Sequence, residues 1–284
     1  ILELKKLTCR NSIARGLGRS YGDSAIQSKC TIITTNLNKV IDFNKNKGII
    51  NAEAGTSINE LIKVILPIGW FLPVTPGSKD ITLGGMIASD VHGKNHHKVG
   101  SFRNHIIEIQ VLIKKNKLVK CSKTKNEKLF NYTVGGMGLT GIIYSCKFKL
   151  IKVSSNLICQ ETIKNKNLSE TLRSLKKSTN WSYNVAWLDT SATGKNKGRS
   201  VLIRGEHLEK KNKQLIDTRF LEKKKINIFF QFPKWFMNSL FIKMLNSVYF
   251  KLNKAEKKFV NLDSYFYQLD KIKNWNLIYG KNGF

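Results

Sequence analysis

The chain has 284 residues, 41% of them hydrophobic, with 49 Lys and Arg against 19 Asp and Glu for a formal charge of +30. That size can bury a real core and suggests two domains, while no run reaches the ~18 uninterrupted apolar residues of a membrane span. The charge would ordinarily point to nucleic acid or an anionic surface. Here it is nearly all Lys, spread along the whole chain beside abundant Asn and Ile. An AT-rich coding sequence produces that mixture; selection for an anionic membrane or ligand is the other explanation.

Cys9, Cys30, Cys121, Cys146 and Cys159 are scattered and form no CxxC pair. They argue against a metal site and against a disulfide framework, and they suit a reducing compartment. Ile1 stands where a Met would begin a chain, and the last residues are YGKNGF. We therefore expect a fragment missing both ends, with no signal peptide at its visible start.

In chain order, a helix end leading into a short strand at Ser12–Ala14 precedes ARGLGRSYGD, residues 14–23. Its GxGxxxG spacing departs from the dinucleotide fingerprint, and a β-branched strand follows where that motif needs a helix. Taken alone, it is an ordinary glycine turn. Short strands are predicted at Thr31–Thr35, Val40–Phe43 and Ile49–Ala54. Ser57 and Glu60 form a capping box for a helix reaching about Leu66, with Leu61, Val64 and Ile65 on one face. Pro67 and Gly69 end it, and Trp70–Val74 returns as a strand.

Thr75–Phe102, TPGSKDITLGGMIASDVHGKNHHKVGSF, is the stretch around which the chain is organised. It has almost no bulky apolar residues. Gly84 and Gly85 let backbone approach a ligand closely, and Ala88-Ser89-Asp90 can begin a short helix whose N–H groups face an anion. His92, Lys94, Asn95, His96 and His97 supply donors that change protonation or charge. His96 and His97 lack a third metal ligand at workable spacing and read as structural hydrogen-bonders. Strands at Ile106–Ile113 and Leu118–Cys121 pair across a Lys-Asn turn. Leu129–Tyr132 then leads to a third glycine turn, VGGMGLTGI, and Ile142–Leu150 is another strand with Tyr144, Cys146, Phe148 and Leu150 on one face. The glycine turns stop around Lys152–Ser155, which divides the chain into domains 1–153 and 154–284.

In the second domain, Asn167 and Glu170 form another capping box, for a helix to about Lys177. Tyr183–Asp189 and Ser200–Gly205 are predicted as paired strands, and Lys210–Lys225 as an exposed connection. Over Ile226–Leu252, Pro233 suits a helix first turn. There Phe236, Leu240, Met244 and Val248 recur every four residues beside Met237, Phe241 and Leu245. The default is a stripe packed into the core; with Lys234, Lys243 and Lys251 it also fits a surface touching lipid. Phe259–Tyr267 reads as a strand, and Ile272–Tyr279 as a loop or short helix with Trp275 inward. Many short strands with few helices make an α+β fold.

ARGLGRSYGDSA, the 75–102 stretch, VGGMGLTGII, VAWLD and NWNLIYGKNGF, in this order and spacing, resemble the flavin-dependent oxidoreductases of the vanillyl-alcohol-oxidase fold. Within that family they are most like the oxidase subunits of lipid-linked ribose 2-epimerases. The resemblance covers nearly the whole chain. It implies a two-lobed PCMH-type FAD-binding domain over 1–153 and an incomplete α+β substrate (cap) domain over 154–284. The implied reaction oxidises the ribose 2-hydroxyl of a polyprenylphosphoryl sugar to a ketone, and a separate NADH-dependent reductase completes the epimerisation.

On the same resemblance, FAD is held by Arg15, Gly16, Leu17, Gly18, Arg19, Ser20 and Tyr21 from one side. Pro76, Gly77, Ser78, Thr82, Gly84, Gly85 and Ser89 hold it from the other. Val91, His92, Gly93, Asn95, Gly141 and Ile143 line the remainder. Arg15–Asp23 contains no histidine to tether a flavin, so the FAD is expected to be noncovalent. The catalytic candidates are His92, to orient the substrate hydroxyl, with Tyr21 and Lys94 near the ring. Trp187 lines the substrate cavity or packs into the core. The family's catalytic lysine falls beyond the end of this chain, so no residue here takes that role. The implied location is cytoplasmic or peripheral on the inner membrane, with 226–252 touching lipid and no nucleic-acid partner. Two alternatives remain: an aldonolactone or alditol oxidase of the same fold, and a basic nucleic-acid-binding protein.

Overall fold

The computed structural model describes residues 12–209, 226–233 and 237–282. They divide into two compact units, one running to Val153 and the other from Ser154 onward. Both are α+β. The expected helix end before Ser12, the connection 210–225, and Cys9, Lys234 and Phe236 lie outside the described residues.

The first unit is built on a five-stranded antiparallel sheet. Its strands are β3 (Val40–Asn44), β4 (Ile49–Glu53), β6 (Ile106–Ile113), β7 (Lys117–Cys121) and β8 (Ile142–Lys149). Their order across the sheet is β3-β4-β8-β6-β7. The last strand of this unit, β9 (Ile151–Lys152), pairs antiparallel with β5 (Trp70–Phe71). Outside the sheet, β1 (Ile13–Arg15) runs parallel to β2 (Thr31–Ile33), and Ile32 packs with Leu112 and Ile142. Phe102 and Phe148, both fully buried, meet edge to face with centroids 5.2 Å apart.

Helix α1 (Ile58–Ile65) starts where the capping box places it. Ser57 Oγ accepts the Glu60 N–H at 3.1 Å, and Glu60 Oε2 accepts the Ser57 N–H at 2.7 Å. Its buried face is Ile58, Leu61, Ile62 and Ile65. Val64 is exposed, a correction that follows from the period: 58, 61, 62 and 65 share one face of a 3.6-residue helix. A 3-10 turn carrying Pro67 and a left-handed Gly69 ends the helix. The predicted strand Trp70–Val74 shortens to β5, because Pro73 has no N–H to continue a ladder. The predicted lead-in Leu129–Tyr132 is part of helix α4, after α2 (Leu83–Ala88) and α3 (His96–Val99), and spans Glu127–Thr133.

The second unit is a four-stranded antiparallel sheet. Its strands are β10 (Leu157–Asn165), β11 (Tyr183–Leu188), β12 (Ser200–His207) and β14 (Glu256–Asn261), in the order β11-β12-β10-β14. Helix α5 (Leu168–Lys177) packs on β10 and β12. Asn167 accepts the Glu170 N–H at 3.0 Å, but the Glu170 carboxylate reaches the N–H of Lys166 and leaves the second half of the box unmade. The predicted strand Phe259–Tyr267 instead turns at Asn261. The Asn261 side chain accepts the Asp263 N–H at 2.8 Å and opens helix α7 (Leu262–Phe266), which follows α6 (Ser239–Leu252). The small β13 (Ile226–Asn227) pairs with β15 (Ile272–Lys273). Trp275 is half-buried, edge-on to Tyr279 at 5.9 Å.

Helix α6 overturns the expectation of a core stripe. None of its residues is buried, and Leu240, Met244, Leu245, Val248 and Leu252 face solvent. Pro233 precedes the helix, which Asn238 caps through the Phe241 N–H. Polar bonds tie the helix to the sheet, beside the contact of Tyr249 with Trp187. Asp189, with its side chain fully buried, receives Arg199 at 2.8 Å, Ser191 Oγ at 2.6 Å and Asn246 Nδ2 at 3.0 Å. Arg199 also donates to Ser247 Oγ at 2.9 Å and lies over the Phe250 ring. Burial works to raise the Asp189 carboxyl, but the hydrogen bonds from Ser191, Arg199 and Asn246 outweigh it and hold the group below the usual carboxylate range.

Cys30 is disulfide-bonded, which tells against the reducing compartment that the scattered cysteines suggested. One cross-link needs no framework spacing. Cys121, Cys146 and Cys159 are free, and burial pushes the Cys121 thiol up to about 11. Among the described residues no helix is long and apolar enough to cross a membrane, and no cluster of His, Cys, Asp and Glu could hold a metal ion.

Candidate functional site

The three glycine-bearing stretches of the first unit meet around one cleft of roughly 580 Å3, measured out to its open side. From the first stretch Ala14, Gly16, Ser20, Ser24 and Ala25 line it. The central stretch gives Thr82, Gly84, Gly85, Ala88 and Ser89, and the third gives Met137, Gly138, Gly141 and Ile143. Thr34 and Ala54 complete the wall. Nearly every lining side chain is small, so the surface offered to a ligand is largely backbone and hydroxyl.

Close approach explains why. A Cβ on Gly16 would stand 2.3 Å from Thr82 Oγ1. One on Gly141 would stand 2.5 Å from the Leu112 carbonyl oxygen, at a φ of +149° that L side chains avoid. Thr82 has a second task, capping α2 through the Gly85 N–H at 3.2 Å.

The expectation that Ala88-Ser89-Asp90 begins a helix is corrected. Helix α2 begins at Leu83 and ends at Ala88, and Asp90 turns left-handed with φ 41°. Nor are the first N–H groups of α2 free for an anion. Leu83 donates to Thr56 O, Gly84 to Ala54 O and Gly85 to Thr82. The open donors are in the first loop, where no acceptor among the described residues takes the N–H of Gly16, Leu17, Gly18 or Ser20. A run of such donors suits the oxygens of a diphosphate without a metal ion.

Of the residues singled out from the sequence, Gly16, Ser20, Thr82, Gly84, Gly85, Ser89, Gly141 and Ile143 line the cleft. The others lie outside its lining. Arg15 ends β1, and Leu17 and Tyr21 are exposed, Tyr21 at 79%. Arg19 reaches across to Asp80, its Nε donating to the Asp80 carbonyl at 3.2 Å. Pro76, Gly77 and Ser78 precede the buried Lys79 in the loop before Thr82. Asn95 is buried and donates to Pro73 O at 2.8 Å, and a Cβ on Gly93 would press on Thr75 O at 2.8 Å. These two brace the loop's own backbone.

His92 is exposed beside Val91 and Lys94, bridges to Ser101, and meets the His96 ring edge-on at 5.2 Å. Trp187 belongs to the second unit, half-buried against Tyr249 with centroids 4.6 Å apart. Ala14, Ser24, Ala25, Thr34, Ala54, Met137 and Gly138 were not singled out from the sequence, since residues flanking a turn carry no signal beyond proximity to the glycines.

Comparison with known proteins agrees with a nucleotide cleft. Residues 8–122 match the FAD binding domain family. Decaprenylphosphoryl-beta-D-ribose oxidase of Mycolicibacterium smegmatis is 31% identical over 97% of this chain and 62% of its own length. Delta(24)-sterol reductase of Rattus norvegicus is 26% identical over 42% of the chain and 23% of its own length. L-gulonolactone oxidase 3 of Arabidopsis thaliana is 25% identical over 43% and 22% respectively. The chain thus spans about three fifths of the oxidase that it matches along nearly all of its own length. Most of the residues that line the glycine-rich cleft fall within the stretch that matches the FAD binding domain family, so the two observations support FAD as the ligand of the first unit.

Proposed function

We propose that the whole protein is an FAD-dependent oxidoreductase acting on a secondary hydroxyl of a sugar, the 2-hydroxyl of a polyprenylphosphoryl ribose, and that the product is the 2-keto sugar. The observation that carries this reading is the 31% identity to a decaprenylphosphoryl-ribose oxidase along 97% of the chain. FAD, noncovalently bound, supplies the hydride acceptor. The chain's own part is to bind and to orient. The open N–H groups of Gly16–Ser20 take phosphate oxygens, and Thr82, Ser89 and the Gly141–Ile143 backbone hold the rest of the cofactor. His92 positions the substrate hydroxyl and takes part in removing its proton, with Tyr21 and Lys94 supplying further polar contacts.

Residues from Ser154 onward form the substrate domain, in which Trp187 lines the sugar site. A reductase using NADH returns the ketone to an alcohol of opposite configuration. The outward apolar face of α6, with Lys243 and Lys251 on the same helix, touches the membrane carrying the lipid-linked substrate, and the protein works at the inner membrane surface. The similarity to L-gulonolactone oxidase 3 favours a second reading, an oxidase of aldonolactones or alditols.

The test is ketone formation by purified, flavin-loaded full-length protein, offered a polyprenylphosphoryl ribose beside free lactones and alditols. Turnover of the lipid-linked sugar alone supports the first reading. Turnover confined to free lactones or alditols replaces it with the second.

A further inference from the structure

Arg103 has no place in the reading above, yet it makes more polar contacts than any residue of the cleft itself. Its backbone N–H donates to Asp90 Oδ1 at 3.1 Å, and its Nε stands 3.7 Å from Asp90 Oδ2. On the other side, Nη1 donates to Asn131 Oδ1 at 2.8 Å. Nη2 donates to the carbonyls of Asn131 at 3.1 Å and Val134 at 3.0 Å. The guanidinium lies 5.7 Å from the centre of the Phe130 ring. One planar fork therefore joins Asp90, directly after α2, to the last carbonyls of α4, directly before the third glycine turn.

These two segments form adjacent parts of the cleft wall. Ser89 is the neighbour of Asp90, and Met137 and Gly138 follow Val134 by a few residues; all three line the cleft. Backbone bonds from Gly135 to Ile87 O and from Met137 to Ala88 O, each 2.9 Å, join the same segments. Asp90 and Met137 both sit at positive φ, a strained setting that surrounding contacts must hold.

We infer that Arg103 is a positioning residue for the FAD site: its fork sets the spacing between the end of α2 and the third glycine turn, and thereby the affinity for the cofactor. The inference rests on the assignment of the cleft to FAD. It requires the fork geometry of Arg and not merely its positive charge. A long-range attraction for diphosphate and the backbone bond to Asp90 would survive in Lys, whereas simultaneous donation from one planar group to Asn131 Oδ1, Asn131 O and Val134 O would not.

The experiment measures FAD dissociation constants and the visible circular dichroism of bound flavin for the full chain and for Arg103→Lys and Asn131→Ala. We expect Arg103→Lys to weaken FAD binding by about tenfold or more, the scale of one charge-assisted hydrogen bond, and to alter the flavin dichroism. Asn131→Ala, which keeps Arg103 and removes only one acceptor, should weaken binding less. Failure of the unsubstituted protein to bind FAD would overturn the cofactor assignment. Binding by the unsubstituted protein with unchanged affinity and dichroism in Arg103→Lys would overturn the role of Arg103 alone. If Arg103→Lys does not fold, Asn131→Ala decides: reduced affinity supports the role and wild-type affinity ends it.

Discussion

The Tyr183 hydroxyl lies 2.9 Å from Nε2 of His207, inside the second unit, with the rings edge to face at 5.4 Å. Burial keeps the phenol protonated by raising it far above its ordinary value, so Tyr183 is the natural donor and the imidazole is neutral. Burial also lowers His207 from 6.5 to about 4. A depressed histidine costs stability wherever the unfolded chain takes up a proton that the folded one refuses. Stability should therefore be full above pH 6.5, fall between 6.5 and 4, and level off below. The loss attributable to this group is about 3 kcal/mol. Urea unfolding across that range checks it, and His207→Gln, which still offers Tyr183 an acceptor, should flatten the slope.

Asp189 and Arg199 belong to a lower window. With the carboxyl held below its ordinary range, its contribution is present at neutral pH and lost as pH falls through that depressed value. Asp189→Ala leaves Arg199 with its principal partner gone and should cost about 3–5 kcal/mol in urea unfolding. Replacing both, as Asp189→Leu with Arg199→Met, should cost less than the single change. A double variant as unstable as Asp189→Ala would contradict this.

Gly16→Ala puts a methyl against Thr82, which is 3% exposed and has little room to move. The expected result is loss of retained flavin, with a stability cost of about 1 kcal/mol from the disturbed cap of α2. Adding Thr82→Ala relieves the contact and should restore part of the visible flavin absorbance after gel filtration.

Ser57→Ala removes the cap of α1 and should destabilise the first unit by about 1 kcal/mol. Because Ser57 and Glu60 satisfy each other, Ser57→Ala with Glu60→Ala should cost less than the two single changes added together. Strict additivity, measured by denaturant midpoints, would show that the bonds act independently.

Where local chemistry decides structure, the chain was legible. Ser57 and Asn167 announce helix starts with side chains that reach the next turn, and the three glycine stretches marked the cleft. Strand β10 was not legible. Its buried positions include Gln160 and Thr162, which hydrogen-bond each other at 3.2 Å, so a central strand carries no clean apolar alternation. Helix α6 misled for the opposite reason: a regular apolar stripe says which residues share a face, but not which way the face points. Here Asp189 and Arg199, distant in sequence, turn it outward. Arg103 was invisible because its partners Asp90, Asn131 and Val134 converge only after folding. Ala54 was missed because smallness, its whole contribution, leaves no pattern.

Cys121 and Cys146 are each fully buried, on strands β7 and β8 that flank β6 in the same sheet. A thiol shielded from solvent and slow to ionise cannot meet an alkylating reagent until the strands around it part. The rate at which these two sulfurs acquire a label is therefore a built-in clock for breathing of the sheet beneath the nucleotide cleft, and ligand that tightens the cleft should make it run slower.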